Sequence, residues 1–207
     1  HLEGADILHV TGITPALSKT NLETTFQIIE LCNEMDIPVC LDVNYREQLW
    51  TPEQAKNTLN RLLPNINIFK VGRDEAETIW QLKYSADEYA AYFYQKLSML
   101  TIVTDGKSGA VLFNGTDYIR EKTIEIEVVD PIGAGDAFVA GFLGTLMRHD
   151  IPLRQLLKSN SRNQITQLTK ALKVGNLCGA LTCTKKGDTA AMPTLSEIED
   201  FLGLLES

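Results

Sequence analysis

The chain has 207 residues, of which 44% are hydrophobic and 22% are charged, a composition typical of a globular protein with one sizeable core. The formal net charge is -8 and no cluster of lysine and arginine is present, which does not favour a nucleic-acid-binding protein. No apolar run has the length of a membrane span and no secretory signal pattern opens the chain, so we expect a cytoplasmic protein with no membrane partner.

Strands and helices alternate through the first half of the chain. Apolar runs predict strands at 6–12, 37–43, 66–71 and 100–106. Helical spacing of apolar residues predicts helices at 21–35, 51–63, 73–80 and 85–97, the first two preceded by the capping residues Ser18 and Thr51. A hairpin is predicted at 109–122, and further helices at 134–148, 152–173, 174–183 and 196–206.

This order of elements predicts an α/β fold. Alternation of strand and helix implies right-handed crossovers, and therefore a mainly parallel central sheet with helices on both faces. No internal repeat, low-complexity segment or linker is present, so we expect a single domain over 1–207. In such sheets ligands bind beyond the carboxyl ends of the strands. Residues that follow strands are therefore the candidates for function.

The stretch "VVDPIGAGDAFVAGF" at 128–142 places three small residues and a carboxylate at the start of an apolar helix. With Gly133, Ala134 and Gly135 in the turn, no bulky side chain would shield the N–H groups of the helix start from an anion such as a phosphate. Asp136, one residue on, could accept a proton from an attacking hydroxyl group. An ordinary glycine-rich turn with a helix-start charge is the alternative.

The segment "DPIGAGDAFVAGF" resembles the D-T-x-G-A-G-D signature of the ribokinase (phosphofructokinase B-type) carbohydrate kinases, with Pro131 in place of the threonine. The resemblance implies a ribokinase-like three-layer sandwich and an ATP-dependent kinase. It also implies that Asp136 is the catalytic base and that the backbone of 133–135 is the anion hole. Asp130 would help to hold a monovalent cation such as K+, and an acid in a strand-end turn is the alternative.

The nucleotide side of the predicted site depends on "VTDGKSGAVLF", where Thr104, Gly106 and Gly109 have T-x-G-x-x-G spacing after a strand. Glycines there would let a phosphate approach the main chain, and the threonine hydroxyl could donate to it. A plain hairpin turn is the alternative, whereas in the family this element faces ATP. Asn176, within "VGNLCGALTCTKKGD", is the candidate beside adenine, unless its amide serves the core.

A magnesium contact is implied by "VGRDEAE", which resembles the N-x-x-E element of the family. Glu75 matches the glutamate that acts on Mg2+ through water, and Asp130 is the second metal candidate. Gly72 replaces the asparagine, which leaves the phosphate contact of that residue open. A solvated helix carboxylate is the alternative for Glu75.

The sugar side of the predicted site follows two strands, in "GITPALS" at 12–18 and "CLDVNYREQLW" at 40–50. Asp42, Asn44 and Arg46 alternate, so they would share one face if the strand continued. Arg46 would suit a substrate carboxylate, and a surface ion pair is its alternative role. Both stretches are similar to those of the 2-keto-3-deoxygluconate kinases of the family, which implies a sugar acid as acceptor and its 6-phosphate as product.

Members of the family begin earlier than this chain, with a first strand, a Gly-Gly sugar-binding segment and a small β-sheet lid. None of these precedes His1, so we expect a chain without its N-terminal portion and without the lid contact that would serve a homo-oligomer. The activity of this chain is therefore open. No role is predicted for the polar stretch at 156–172.

Other functions are open to the same sequence. One is a kinase for another sugar, such as fructose or ribose. Another is a non-catalytic nucleotide-binding module of the same fold, which Gly72 and the absent front favour and the complete G-A-G-D opposes. A Rossmann-type dehydrogenase is disfavoured because no G-x-G-x-x-G follows the first strand.

Overall fold

The computed structural model describes residues 2–96, 100–148, 152–159 and 161–206. Within these ranges the strands are β1 (Leu8–Thr11), β2 (Val39–Asp42), β3 (Ile68–Gly72), β4 (Leu100–Thr104), β5 (Ala110–Phe113) and β6 (Tyr118–Glu121). They form one sheet in which the spatial order is the chain order. β1 to β4 are parallel, and β5 and β6 continue the sheet as an antiparallel hairpin. The predicted mainly parallel sheet and its hairpin are confirmed.

The helices are α1 (Ile13–Leu17), α2 (Lys19–Glu34), α3 (Pro52–Leu62), α4 (Arg73–Trp80), α5 (Ala86–Tyr94), α6 (Ala134–Met147), α7 (Leu153–Lys158), α8 (Arg162–Cys183) and α9 (Leu195–Glu206). The predicted caps are confirmed, because Ser18 accepts the N–H of Asn21 and Thr51 forms a capping box with Gln54. The predicted end of α5 at 97 lies outside the described residues. Among the described helices, none has both the length and the hydrophobicity needed to cross a membrane.

Alternate residues of each strand face two different layers of helices. One face packs against α2 to α5 through side chains such as Leu41 and Phe69. The other face packs against α6, α7 and α8 through side chains such as Cys40 and Ile68. The sheet therefore lies between two helical layers, and successive residues of a strand contact the two layers in turn.

The long helix α8 corrects one prediction. The sequence predicted a boundary between 173 and 174, but α8 is continuous, and the break comes before Ser161, whose side chain caps it. Gly175 and Gly179 do not end the helix. They are contact points instead, because a Cβ on either glycine would lie 3.0 Å from a backbone oxygen of α6. The predicted boundary is therefore wrong, and the small residues beyond it serve close packing within one continuous helix.

Candidate active site

The G-A-G-D turn opens α6 without a side-chain cap. Gly133 has a φ of +80°, in the left-handed region, and a Cβ there would lie 2.5 Å from Oδ1 of Asp188. Glycine satisfies both conditions, since it tolerates this φ and carries no Cβ. The positive end of the helix dipole is thus presented by bare backbone, and the turn can receive an anion.

Asp136 lies in the first turn of α6, where it is half-buried. Its Oδ1 accepts a hydrogen bond of 3.1 Å from Nδ2 of Asn44, which is 92 residues away in the chain. Asn44 follows β2 with a φ of +40°, a region that asparagine tolerates better than most residues. The end of β2 therefore brings a side-chain amide to the predicted base.

An ion pair lies under this turn. Lys70 on β3 and Asp42 on β2 are register partners, with Nζ 3.0 Å from both carboxylate oxygens. The two side chains are 7% and 0% exposed. A Cβ on Gly135 would lie 3.1 Å from Nζ, so the ammonium group packs against the backbone of the turn. Lys70 was not predicted, although a lysine inside the apolar strand "INIFKV" is a signal of a paired buried charge.

The charged groups of this cluster perturb one another. Burial raises the pKa of Asp42 to about 6, against the opposing effect of Lys70. Burial by itself would lower the pKa of Lys70, but the neighbouring carboxylates outweigh it and the net shift is upward. Those carboxylates are Asp42, Glu75 and Asp136. Lys70 is therefore a fixed positive charge at neutral pH.

A cleft of about 660 Å³ adjoins the turn, since Ala134 and Gly135 line it. The four residues predicted for the nucleotide side also line it: Thr104, Gly106, Gly109 and Asn176. The structure thus brings the T-x-G-x-x-G element and the G-A-G-D turn to one cleft. This is the arrangement that a phosphate chain would need to reach both motifs.

Two of these cleft residues meet at the end of β6. Gly109 has a φ of +93°, and a Cβ there would collide with the carbonyl oxygen of Glu121. Nδ2 of Asn176 donates to the same carbonyl at 2.8 Å. Asn176 therefore serves the core and lines the cleft at once, and the two alternatives left open by the sequence are compatible.

The remaining cleft wall was not predicted from the sequence. Much of it is apolar, and it includes Ile124, Ile126, Val128, Phe138 and Ala180. Three of these residues belong to the irregular segment between β6 and α6, which has no helical or strand period by which to place it. An apolar wall of this kind suits the flat ring of a nucleobase more than a phosphate.

Glu75 is held by two backbone N–H groups. Its Oε1 accepts from Tyr45 at 2.7 Å and its Oε2 from Gly72 at 2.8 Å. Each oxygen has a second lone pair, so a water-mediated contact with Mg2+ fits this residue without loss of these bonds. Gly72 offers no side chain for a phosphate, and a Cβ there would lie 3.0 Å from Oε2 of Glu75.

Asp130 ties the G-A-G-D turn to the loop after α8. Its carboxylate accepts the N–H groups of Ile132 and Gly187, each at 3.1 Å, and these bonds lower its pKa. The described residues contain no group of three or more His, Cys, Asp or Glu side chains suited to a metal. A cation here would therefore depend on water, backbone oxygens and substrate for most of its ligands.

The condition under which the three residues predicted for the sugar would share one face is not met, because β2 ends at Asp42. Asp42 ends β2 fully buried and bonded to Lys70, so it has no surface to offer a sugar. Asn44 turns the chain, and Arg46 is exposed, with its guanidinium donating to the carbonyl of Tyr45. Side chains alternate only while the backbone remains extended, so the spacing of these residues does not bring them to one face, and their contacts with a sugar stay predictions.

The sheet order, the two helical layers and the unshielded turn define a ribokinase-like protein. Residues 1–195 match the pfkB family carbohydrate kinase description, and the chain belongs to that family. Among solved structures, the aminoimidazole riboside kinase from Salmonella enterica, complexed with aminoimidazole riboside and an ATP analog, superposes with a TM-score of 0.81 at 26% identity. The match covers 95% of this chain and 62% of that one.

Two curated relatives differ in their named sugar. A 2-dehydro-3-deoxygalactonokinase of Haloferax volcanii is 30% identical over 202 residues, which are 97% of this chain and 58% of the relative. A probable fructokinase-3 of Arabidopsis thaliana is 29% identical over 202 residues, which are 97% of this chain and 56% of the relative. The chain thus spans less than two thirds of the length of these curated relatives.

Proposed function

We propose that the protein transfers the γ-phosphoryl group of ATP to a hydroxyl group of a sugar acid, with Asp136 as general base. One observation carries the proposal. Asp136 adjoins the unshielded turn 133–135, and Ala134 and Gly135 of that turn line the same cleft as the T-x-G-x-x-G element. Membership of a carbohydrate kinase family supports the reaction class.

In the proposed reaction the turn receives the phosphoryl group in flight, through backbone N–H groups and the dipole of α6. Asp136 accepts the proton of the attacking hydroxyl as the new O–P bond forms, and ADP leaves with the bridging oxygen. A weak base is sufficient, because a loose phosphoryl-transfer transition state loses this proton late. Bound Mg2+ would neutralise phosphate charge, with Glu75 acting through water, and Asp130 is the proposed K+ contact.

For the acceptor we propose a 2-keto-3-deoxy sugar acid such as 2-keto-3-deoxygluconate, with Arg46 as the residue that binds its carboxylate. The name of the Haloferax volcanii relative supports this class of substrate. Within the described residues, Arg46 bonds to a backbone carbonyl, which uses one of its five donors and leaves the planar fork for a ligand.

Fructose is the second candidate acceptor, since several curated relatives are named as fructokinases. Fructose has no carboxylate, so Arg46 would then have no charged partner in the substrate. The two candidates therefore differ in what they require of this one residue.

A coupled ATP-consumption assay with 2-keto-3-deoxygluconate, fructose and ribose tests the proposal. It is run on this chain and on one that includes any residues encoded ahead of His1, because the curated relatives are longer. Turnover with the acid sugar alone supports the specific proposal, and turnover with fructose selects the second candidate. ATP binding without turnover of any sugar in either chain would identify a non-catalytic nucleotide-binding module.

A further inference from the structure

Burying an ion pair is costly because both charges lose their water, and apolar residues of similar volume often stabilise a core equally well. Lys70 and Asp42 form such a pair on the sheet face that packs against α6, α7 and α8, with the buried residues Cys40 and Ile68 two positions before them on the same strands. Stability alone gives little reason for charges at these positions. Their place in the site gives a better one.

The positive end of the pair faces the G-A-G-D turn. Nζ of Lys70 lies 3.1 Å from the position that a Cβ of Gly135 would occupy. Asp42 lies on the neighbouring strand with 0% exposure, and its carboxylate holds the ammonium group through the ion pair. Gly135 therefore leaves the backbone N–H groups accessible and also leaves room for the ammonium group of Lys70, which a side chain at 135 would contact too closely.

The carboxylate of Asp42 is committed to this one partner. Its Oδ2 accepts a hydrogen bond of 3.0 Å from Nζ, while Oδ1, equally close, makes an ion pair whose angle gives no hydrogen bond. The charges of Glu75 and Asp136 also raise the pKa of Lys70. The pKa of His9 on β1 is in turn raised by the charge of Asp136 and lowered by that of Lys70. The ammonium group is thus the shared cation of a cluster of acids.

Asn44 completes the arrangement from the same strand end. It lies two residues after Asp42, and its Nδ2 donates to Oδ1 of Asp136 at 3.1 Å. An amide donor on one carboxylate oxygen sets the orientation of the group and leaves the other oxygen for a substrate hydroxyl. Asn44 has a φ of +40°, so the chain leaves the extended conformation at the residue that reaches Asp136 on α6.

We propose that Asp42, Lys70 and Asn44 form a positioning network for Asp136. Lys70, anchored by Asp42, supplies a fixed positive charge under the turn, and Asn44 orients the carboxylate of Asp136 toward the acceptor hydroxyl. The network rests on the proposed function, in which Asp136 is the base. It reassigns Asp42 and Asn44 from the sugar to the support of that base.

The first test replaces the ion pair with a neutral pair, Lys70→Met with Asp42→Asn, which leaves no buried charge unpaired. We expect folded protein by circular dichroism, kcat reduced about 30-fold or more, and KM for ATP and for the sugar within about threefold of wild type. A pair that served only the fold would leave kcat unchanged in the folded variant, and that result overturns the role of Lys70.

The second test is Asn44→Gly, which keeps the left-handed backbone and removes the amide. We expect kcat to fall about tenfold or more with little change in the KM for the sugar. A raised sugar KM with kcat retained would make Asn44 a substrate-binding residue and overturn its positioning role. Gln81→Gly is the matched control, because Gln81 is exposed at the end of α4 with a φ of +56°.

The third test needs no turnover. Asp136→Asn is introduced into the wild type and into the neutral pair, and the change in urea midpoint is compared. If Asp136 interacts with the Lys70–Asp42 pair, Asp136→Asn shifts the urea midpoint by different amounts in the two backgrounds. Equal shifts in both backgrounds overturn the network. If neither this chain nor the longer one phosphorylates a sugar, the proposed function fails, and this comparison then decides only whether Asp136 is coupled to the pair. If the wild type and the neutral pair are equally active, the network fails and the function stands.

Discussion

Asp136 is the residue on which the proposed chemistry depends. It stands at the start of α6, where the helix dipole and the bare turn favour an anion, and it is itself an anion held by Asn44. A base and a phosphoryl site must be adjacent for proton and phosphoryl transfer to occur together, and this turn provides both within one helical turn.

We expect Asp136→Asn to abolish phosphoryl transfer and to leave ATP binding intact. The amide has the shape of the carboxylate but accepts no proton at neutral pH, so kcat should fall by roughly 10²–10⁴-fold. Initial rates measure the loss, and calorimetric titration with ATP checks that the cleft is unaffected. A turnover close to that of the wild type would remove Asp136 as the base.

Arg46→Ala should discriminate between acceptors. The guanidinium is exposed and, in this proposal, meets the carboxylate of the sugar acid, so its loss should raise the KM for 2-keto-3-deoxygluconate by about tenfold or more. The KM for a neutral sugar should change far less, which makes fructose the internal control. Equal effects on the two sugars would contradict the carboxylate role.

At the scale of elements, α6 and α8 pack through small residues. A Cβ on Gly141 of α6 would lie 2.6 Å from Sγ of Cys178 and 3.1 Å from the carbonyl oxygen of Val174, both on α8. Gly144, one turn later on the same helix, is exposed and would meet nothing within 4 Å. Gly141 is therefore required by packing against α8, whereas nothing in the packing requires glycine at 144.

We expect Gly141→Ala and Gly144→Ala to change stability in opposite directions. Gly141→Ala forces α6 and α8 apart and should lower the free energy of unfolding by roughly 1–3 kcal/mol. Gly144→Ala removes backbone entropy from the unfolded chain and should raise it by about 0.5–1 kcal/mol. Urea unfolding of the two variants measures both. A loss of stability at Gly144 similar to that at Gly141 would show that packing does not distinguish them.

At the scale of the whole molecule, the buried pair makes stability depend on pH. Asp42 has a pKa of about 6 in the folded protein against 3.8 for the ordinary group, so the folded state binds the extra proton between these values. Stability due to Asp42 therefore rises as pH falls through this window. Lys70 has a raised pKa, so its contribution is complete below about 10.5 and is lost as pH rises further.

The measurement is the difference in free energy of unfolding between the wild type and the neutral pair Lys70→Met with Asp42→Asn, as a function of pH. Titrating groups away from this cluster are common to both proteins and cancel, so the difference reports Lys70 and Asp42 together with the groups coupled to them, His9 among them. We expect the free energy of unfolding of the wild type to increase relative to that of the variant as pH falls from 7 to about 4, and to decrease relative to it above about 10.5. A difference that stays constant from pH 4 to 7 would mean that burial does not raise the pKa of Asp42.

Local patterns predicted much of this protein. The strand and hairpin periods, the caps at Ser18 and Thr51 and the glycine turn before Asp136 are all properties of short segments, and each lies where the sequence predicted. The differences have two physical causes: contacts with distant segments, and the end of β2 at Asp42, where the alternation of side chains stops. The predicted helix boundary at 173/174 does not exist, because α8 continues and packs Gly175 against α6. Asp42 is buried against Lys70, its neighbour across the sheet.

The sequence by itself determined the fold class and the motif that identifies the family, because hydrophobic period and turn chemistry act over a few residues and need no partner. Tertiary structure alone decided which charges meet. The register of β2 with β3 sets Lys70 against Asp42, and the turn at Asn44 delivers an amide to Asp136 across 92 residues of chain. Long-range pairing has no period in the sequence, since it depends on how strands align and where the backbone leaves the extended region.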